Sequence, residues 1–205
     1  MNIFKKLFCA TDNRISRFHS GRGELMPVNA FIRLPFTIFE RLNGGYKNYP
    51  WLVPSAVSWL DKNIQKDWKI FEFGCGYSTI WYAKRCNSIT GIDDHLEWFN
   101  LIKAKIESSN IGNCDLIFTP SVSPLSIDDF PNDFFDLVIV DSAESRIECA
   151  IAAVSKIKKG GYLLFDDTDK LEYQNIEFLK SWNVMRFVGM KPTPLTCVET
   201  SIFQS

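Results

Sequence analysis

The sequence predicts an α/β chain: a doubly wound, mostly parallel sheet of seven strands, helices on both faces, closed by an antiparallel C-terminal hairpin. Three observations carry this. From about Trp68 onward, short apolar runs alternate with helical patterns, as successive βαβ units require. Leu137 to Val140 are four consecutive aliphatics, the pattern of a central strand covered on both faces. The last two β-rich segments are joined by "KPTP", too short for a helical crossover, so they must pair antiparallel.

Taken in order, "WLVPSAVSWLDKNI" reads as a helix leading into a first strand, "WKIFEF", with "STIWYAKR" the helix after it. "SITGID" is the second strand. In "HLEWFNLIKAKIESS", Leu96, Phe99, Ile102 and Ile106 share one helical face, and Asp94 with Glu97 has capping-box spacing, leaving Asp93 for another role. "CDLIFTP" is the third strand and "FFDLVIVD" the fourth. The next helix, "ESRIECAIAAVSKIKKGG", repeats Ile147, Ile151, Val154 and Ile157 and is expected to stop at Gly160 and Gly161. "GYLLFDD" is the fifth strand, and Asp169 with Glu172 is spaced to cap a helix over "KLEYQNIEFLKSW". "NVMRFVGM" and "TCVETSIFQ" form the hairpin. Residues 1–50 mix glycine, proline and aromatics without a clean period and are read as an N-terminal extension, a lid or substrate-side cap on a domain spanning 51–205.

At 205 residues the chain suits one sizeable core. Its 23 basic and 24 acidic residues contain no like-charge run, which argues for a small or neutral partner and against nucleic acid. Six scattered cysteines without C-x-x-C spacing fit a reducing cytoplasm. No stretch could span a bilayer, and "MNIFKKLFCATDN" lacks the apolar region of a signal peptide. Its Ile3, Phe4, Leu7 and Phe8 suit a short helix packed on the domain, or weak docking on a membrane surface. The sequence leaves the oligomeric state open.

The chemistry concentrates at strand ends. "FEFGCGYSTIW" ends a strand in G-x-G and enters a helix, a turn whose backbone can approach a ligand closely. The third glycine of the dinucleotide fingerprint is replaced by Thr79, and Glu72 stands where a carboxylate would repel a pyrophosphate. A carboxylate there suits a ligand bearing positive charge, such as the amino group or sulfonium of S-adenosylmethionine. Asp93 ends the second strand, 17 residues after Gly76, where it can accept hydrogen bonds from both ribose hydroxyls. Asp141 closes the fourth strand and Asp166 and Asp167 the fifth, so three carboxylates converge at one sheet edge. They can ligate Mg²⁺ or Ca²⁺. Alternatively, one serves as general base while the others cap the next helix or pair with Lys170 or Arg146. Tyr46, Tyr49 and Trp51 either close over a ligand or are core, and Cys75 is a spacer.

On "FEFGCGYSTIWYAKR", "GIDDHLEW", "FFDLVIVDSAESRIECA", "GGYLLFDDTDKLEY" and the closing "ETSIF", the chain resembles the class I S-adenosylmethionine-dependent methyltransferases, from about Tyr49 to Phe203. The finer likeness is to small bacterial enzymes. The resemblance implies a Rossmann-like fold in which Glu72, Gly74 and Gly76 line the methionine end of the cofactor, with Ser78 and Thr79 nearby. It further implies that Asp93 holds the ribose, Asp94 and His95 lie by the adenine, and Asp141 faces cofactor and acceptor. Where many relatives carry an acid after the third strand for the adenine amine, "FTPSVS" offers only Thr119, Ser121 and Ser123. The pattern of Asp141, Asp166 and Asp167 is similar to that of metal-dependent O-methyltransferases, which implies methylation of an oxygen, in second place a nitrogen, of a small molecule or sugar, with Mg²⁺ as the metal of the metal-dependent alternative. Two rivals stand beside this: an NAD(P)-dependent oxidoreductase, and a non-catalytic binding module on the same fold.

Overall fold

The computed structural model describes residues 14–173 and 176–205. The expectations for Ile3, Phe4, Leu7 and Phe8 lie outside the described residues. A single seven-stranded sheet runs in the order β3-β2-β1-β4-β5-β7-β6. Its strands are β1 Lys69–Phe73, β2 Ser88–Asp93, β3 Cys114–Phe118, β4 Phe135–Val140, β5 Ile157–Asp166, β6 Asn183–Met190 and β7 Cys197–Gln204. The first five are parallel, and β7 runs antiparallel between β5 and β6, as the short "KPTP" connection requires.

The helices are α1 Val28–Leu42, α2 Pro54–Asn63, α3 Tyr77–Ala83, α4 Leu96–Ser108 and α5 Arg146–Val154. Alternate side chains of the central strands build a core on each face. Phe71, Phe73, Val138, Val140, Leu163 and Phe165 meet Cys149, Ala150 and Ala153 of α5. Ile70, Leu137, Ile139 and Leu164 meet Leu60 of α2 and Trp81 and Tyr82 of α3. Leu137 to Val140 are all buried, each worth roughly 1.5–3 kcal/mol relative to exposure, so the uninterrupted aliphatic run reports its central position. No helix among the described residues is long and apolar enough to cross a membrane.

Three local expectations need correction. The helix expected to run to Gly160 stops at Val154, and Ile157 already belongs to β5, paired with Phe135. The buried face of α5 is Arg146, Cys149, Ala150 and Ala153, leaving Ile151 exposed, and Gly160 takes φ +79 inside the strand. The helix expected over 170–182 is instead two 3-10 turns, Leu171–Tyr173 and Glu177–Leu179, among the described residues. Asp169 is buried and accepts from the backbone of Gly21 and Glu199 and from Arg14. Finally, α4 is capped by His95, whose Nδ1 accepts from Trp98 N at 3.2 Å, while Asp94 accepts from Val122 N and Leu96 is exposed.

Candidate functional site

Strand order reverses about β1, whose flanking strands β2 and β4 continue in opposite directions across the sheet, and the crevice at their C-terminal ends is where α/β sheets bind ligands. A cleft of about 440 Å³ opens there, lined by the Gly74–Ser78 turn, Asp93 to His95, Val122 and Asp141 to Ala143, with Trp51 and Trp98 at its wall.

The turn is built by close backbone packing. Gly74 N and Cys75 N both donate to Ile92 O, and Gly74 adopts φ +91. A Cβ there would lie 2.7 Å from Asp141 O, so only glycine lets the end of β1 pass the end of β4. Cys75 is buried and its thiol is pushed up by that burial, which fits a spacer and not a nucleophile.

Glu72 sits behind the turn instead of in the cleft. Its carboxyl receives the Ser78 and Thr79 hydroxyls, each at 2.5 Å, and Thr79 Oγ1 also accepts from Gly76 N at 2.8 Å. The position that breaks the dinucleotide fingerprint therefore ties the turn to the acid. Burial pushes the Glu72 carboxyl up to about 8, against the pull of those two hydroxyls. Ser78 lines the cleft; Glu72 and Thr79 do not.

Asp93 lines the cleft, accepts from His95 N at 2.9 Å, and is raised by burial. A carboxylate offers about four acceptor positions, so capacity remains for ligand hydroxyls. The aromatic wall is a cluster: Trp98 stands 5.4 Å from Tyr77 and 5.7 Å from Trp51, ring centre to ring centre, and Trp98 Nε1 donates to Cys75 O. Sequence reading missed Tyr77 and Trp98. The available signal was the aromatic on the first turn of α4, directly after the acidic end of β2. Trp51 reaches the cleft, whereas Tyr46 and Tyr49 line a second, mostly apolar cavity of about 420 Å³ between α1 and α2. Thr119 donates to Ser121 O, and neither Ser121 nor Ser123 lines the cleft.

The three aspartates do converge, but around cations. Arg146 Nη2 donates to Asp141 Oδ1 at 2.9 Å, its Nη1 donates to Asp166 O at 2.8 Å, and its Nε donates to Ser142 O. Lys191 Nζ binds Asp166 Oδ2 and lies 2.7 Å from Asp167 Oδ1; Thr200 donates to Asp166 Oδ1, and Lys170 pairs with Asp167. Burial pushes Asp166 up to about 7 while Lys191 pulls against it. Burial alone would also raise Asp167, but Lys191 and Arg146 outweigh it and hold that carboxyl below its usual range. Ser145 and Asp167, on either side of this hub, take left-handed backbone conformations (φ 55 and 60).

The expected Mg²⁺ site of Asp141, Asp166 and Asp167 is not seen: Asp166 and Asp167 bind Lys191, and Asp141 Oδ1 binds Arg146, leaving Oδ2 toward the cleft. Among the described residues no group of three or more His, Cys, Asp or Glu could hold a metal ion. Asp166 and Asp167, expected to activate the acceptor, are held by Lys191. Asp166 is fully buried and neither lines the cleft, whereas the Asp141 side chain is 30% exposed and does.

No family model matches the chain. It is 25% identical over 180 residues to the 23S rRNA (uracil(1939)-C(5))-methyltransferase of Haemophilus parainfluenzae, an alignment covering 86% of this chain and 40% of that protein. The chain thus spans less than half the length of that relative. An O-methyltransferase from Bacillus cereus in complex with SAH superposes with a TM-score of 0.63 and 15% identity, covering 82% of this chain and 90% of that one. A precorrin-6y C5,15-methyltransferase from Geobacter metallireducens gives 0.60 and 18%, covering 73% and 87%.

Proposed function

We infer that this chain is a class I S-adenosylmethionine-dependent methyltransferase that binds S-adenosylmethionine in the cleft above β1, β2 and β4 and methylates an oxygen of a small hydroxylated molecule or sugar. One observation carries the reading: the glycine turn, the Asp93 carboxylate and an aromatic wall share one cleft at the switch point. Thr79 in place of a third glycine, and β7 reversed between β5 and β6, both disfavour a dinucleotide oxidoreductase.

In this reading Asp93 accepts the ribose hydroxyls, Asp94 and His95 flank the adenine, and the Gly74–Gly76 backbone with Ser78 receives the methionine end. Glu72 holds that turn from behind through the Ser78 and Thr79 hydroxyls. When bound, the cofactor supplies a methyl group already activated on a sulfonium, so alignment does most of the catalytic work. Asp141, held by Arg146, takes the hydrogen bond or proton of the acceptor hydroxyl. Trp51, Tyr77 and Trp98 shield the site from water. The segment before residue 50 serves as the acceptor-side cap, since it positions Trp51: Tyr46 O accepts from Trp51 Nε1 at 2.8 Å. The five described cysteines are free thiols, which supports a reducing, cytoplasmic setting.

An RNA acceptor is the second reading, favoured by the match to a ribosomal RNA methyltransferase. Calorimetric titration with S-adenosylhomocysteine and with NAD tests the cofactor, and release of S-adenosylhomocysteine on offering hydroxylated small molecules or unmodified ribosomal RNA tests the acceptor. Binding of S-adenosylhomocysteine alone and turnover with a hydroxylated small molecule are expected. Binding of NAD alone overturns the cofactor; turnover with RNA alone overturns the acceptor; binding without any turnover favours a non-catalytic module.

A further inference from the structure

The cavity of about 420 Å³ between α1 and α2 is distinct from the cleft, and the two share no lining residue. Its size is that of a small-molecule site, and its walls are mostly apolar, as in such sites. Phe36 comes from α1, Tyr46 from the 3-10 turn Gly45–Asn48, Tyr49 and Leu52 from the segment after it, and Val57 from α2. One stretch of chain divides the two spaces: Tyr49 and Leu52 line this cavity, while Trp51 lines the cleft.

Arg33 and Glu40 interrupt the apolar wall, and neither meets an opposite charge among the described residues. Glu40 is partly buried and has no hydrogen-bond partner among them either; its carboxyl is seated over Gly45, where a Cβ would overlap it. Arg33 lines the cavity from its exposed side, and its Nη1 donates to Ser58 Oγ at 3.2 Å. The guanidinium keeps further N–H donors for a ligand. A smaller cavity of about 210 Å³ shares Arg33, Thr37 and Ser58 with the larger one and adds Asn29 and Ser55, whose polar groups suit the oxygens of an anion. Positions 33 and 40 are two helical turns apart on α1, on the same face and about 10 Å from each other along the axis.

The complement of this cavity is a molecule with an anionic end for the Arg33 fork, a flat apolar body against the aromatic walls, and a hydrogen-bond donor at the far end for Glu40. A neutral hydroxyl suits that end better than an ammonium. Arg41, fixed by donating to Pro192 O, and Lys47 each stand 5.9 Å from the Tyr46 ring centre and would repel a further cation. We propose that this cavity is a binding site for a small aromatic carboxylic acid bearing a hydroxyl opposite its carboxylate, with Arg33 and Glu40 as its two polar anchors. This stands on the cavity alone, independently of the methyl-transfer reading.

Calorimetric titration of the full chain with 4-hydroxycinnamate, cinnamate and 4-hydroxystyrene, each with and without S-adenosylhomocysteine, tests it. Saturable binding of 4-hydroxycinnamate is expected, undiminished by S-adenosylhomocysteine because cleft and cavity are separate. Cinnamate, which lacks the hydroxyl, and 4-hydroxystyrene, which lacks the carboxylate, should each bind several-fold more weakly. Arg33→Met should weaken 4-hydroxycinnamate roughly tenfold and leave 4-hydroxystyrene unchanged, because only the carboxylate makes the charge-assisted pair. Glu40→Ala should erase the preference for 4-hydroxycinnamate over cinnamate. Circular dichroism and thermal midpoints verify folding of both variants. The proposal is overturned by absent saturable binding, by equal affinity for the three probes, by unchanged affinity in Arg33→Met, or by competition with S-adenosylhomocysteine, which would put the probe in the cleft. If S-adenosylhomocysteine itself fails to bind, the methyl-transfer reading falls and the probe and variant series still decides this one.

Discussion

Glu72 is a carboxyl that water does not reach, and its proton makes stability depend on pH. In the unfolded chain it ionises near 4.5, whereas in the fold burial delays this to about 8, so the native state binds more protons over that interval. Stability from this group is present at low pH and falls as pH rises, by on the order of 4 kcal/mol across the window. Glu72→Gln should flatten the decline in urea midpoint between pH 5 and 8; parallel profiles for wild type and variant would refute the assignment. The opposite sign holds at Asp167, whose depressed carboxyl contributes stability above its unfolded value near 3.8 that is lost as pH falls. Lys191→Met strands buried carboxylates and should cost about 3–5 kcal/mol at pH 7, with the deficit shrinking in acid and on adding Asp166→Asn. The reading from sequence reached Gly74, Gly76, Asp93 and Asp141 because strand ends fix them along a short stretch. It missed Lys191, which arrives from the end of β6 to bind aspartates 24 and 25 residues earlier, and saw Arg146 only as one pairing option.

At the scale of elements, the β1–α3 turn shows how little freedom the site has. Gly74→Ala would place a methyl against Asp141 O and force a non-glycine residue to φ +91. We expect it to destabilise the fold by roughly 1–3 kcal/mol and to abolish binding of S-adenosylhomocysteine, read by urea denaturation and calorimetry. A variant that binds normally would show that the turn is not the ligand cradle. Strands with short apolar runs were legible: β2 spans Ser88–Asp93, the "SITGID" segment, and β4 follows its aliphatic run. Errors arose where helical and strand periods overlap. Ile147, Ile151, Val154 and Ile157 share a helical spacing, yet pairing with Phe135 takes Ile157 into β5 and the helix stops short. In 170–182 the helical pattern lost to burial of Asp169, whose carboxylate fastens Gly21 and Glu199 and pulls its segment onto the protein.

For the whole molecule, a ligand that binds only the folded state raises its stability by about 2.7 kcal/mol at a hundred times its Kd. For a chain of this size that amounts to roughly 5–10 °C in thermal midpoint. S-adenosylhomocysteine should produce this rise and NAD none; the reverse would reassign the cleft. The overall architecture was readable because its connections are short and its crossovers regular, but no local pattern orients α1, which is held by Met190 and Cys197 from the terminal hairpin. That hairpin has one more consequence. β7, synthesised after the other six strands of the sheet, is an interior strand, pairing β5 on one side and β6 on the other. Until β7 emerges from the ribosome, β5 presents an open edge bearing Leu163, Leu164 and Phe165, an aggregation-prone template that the nascent sheet leaves exposed.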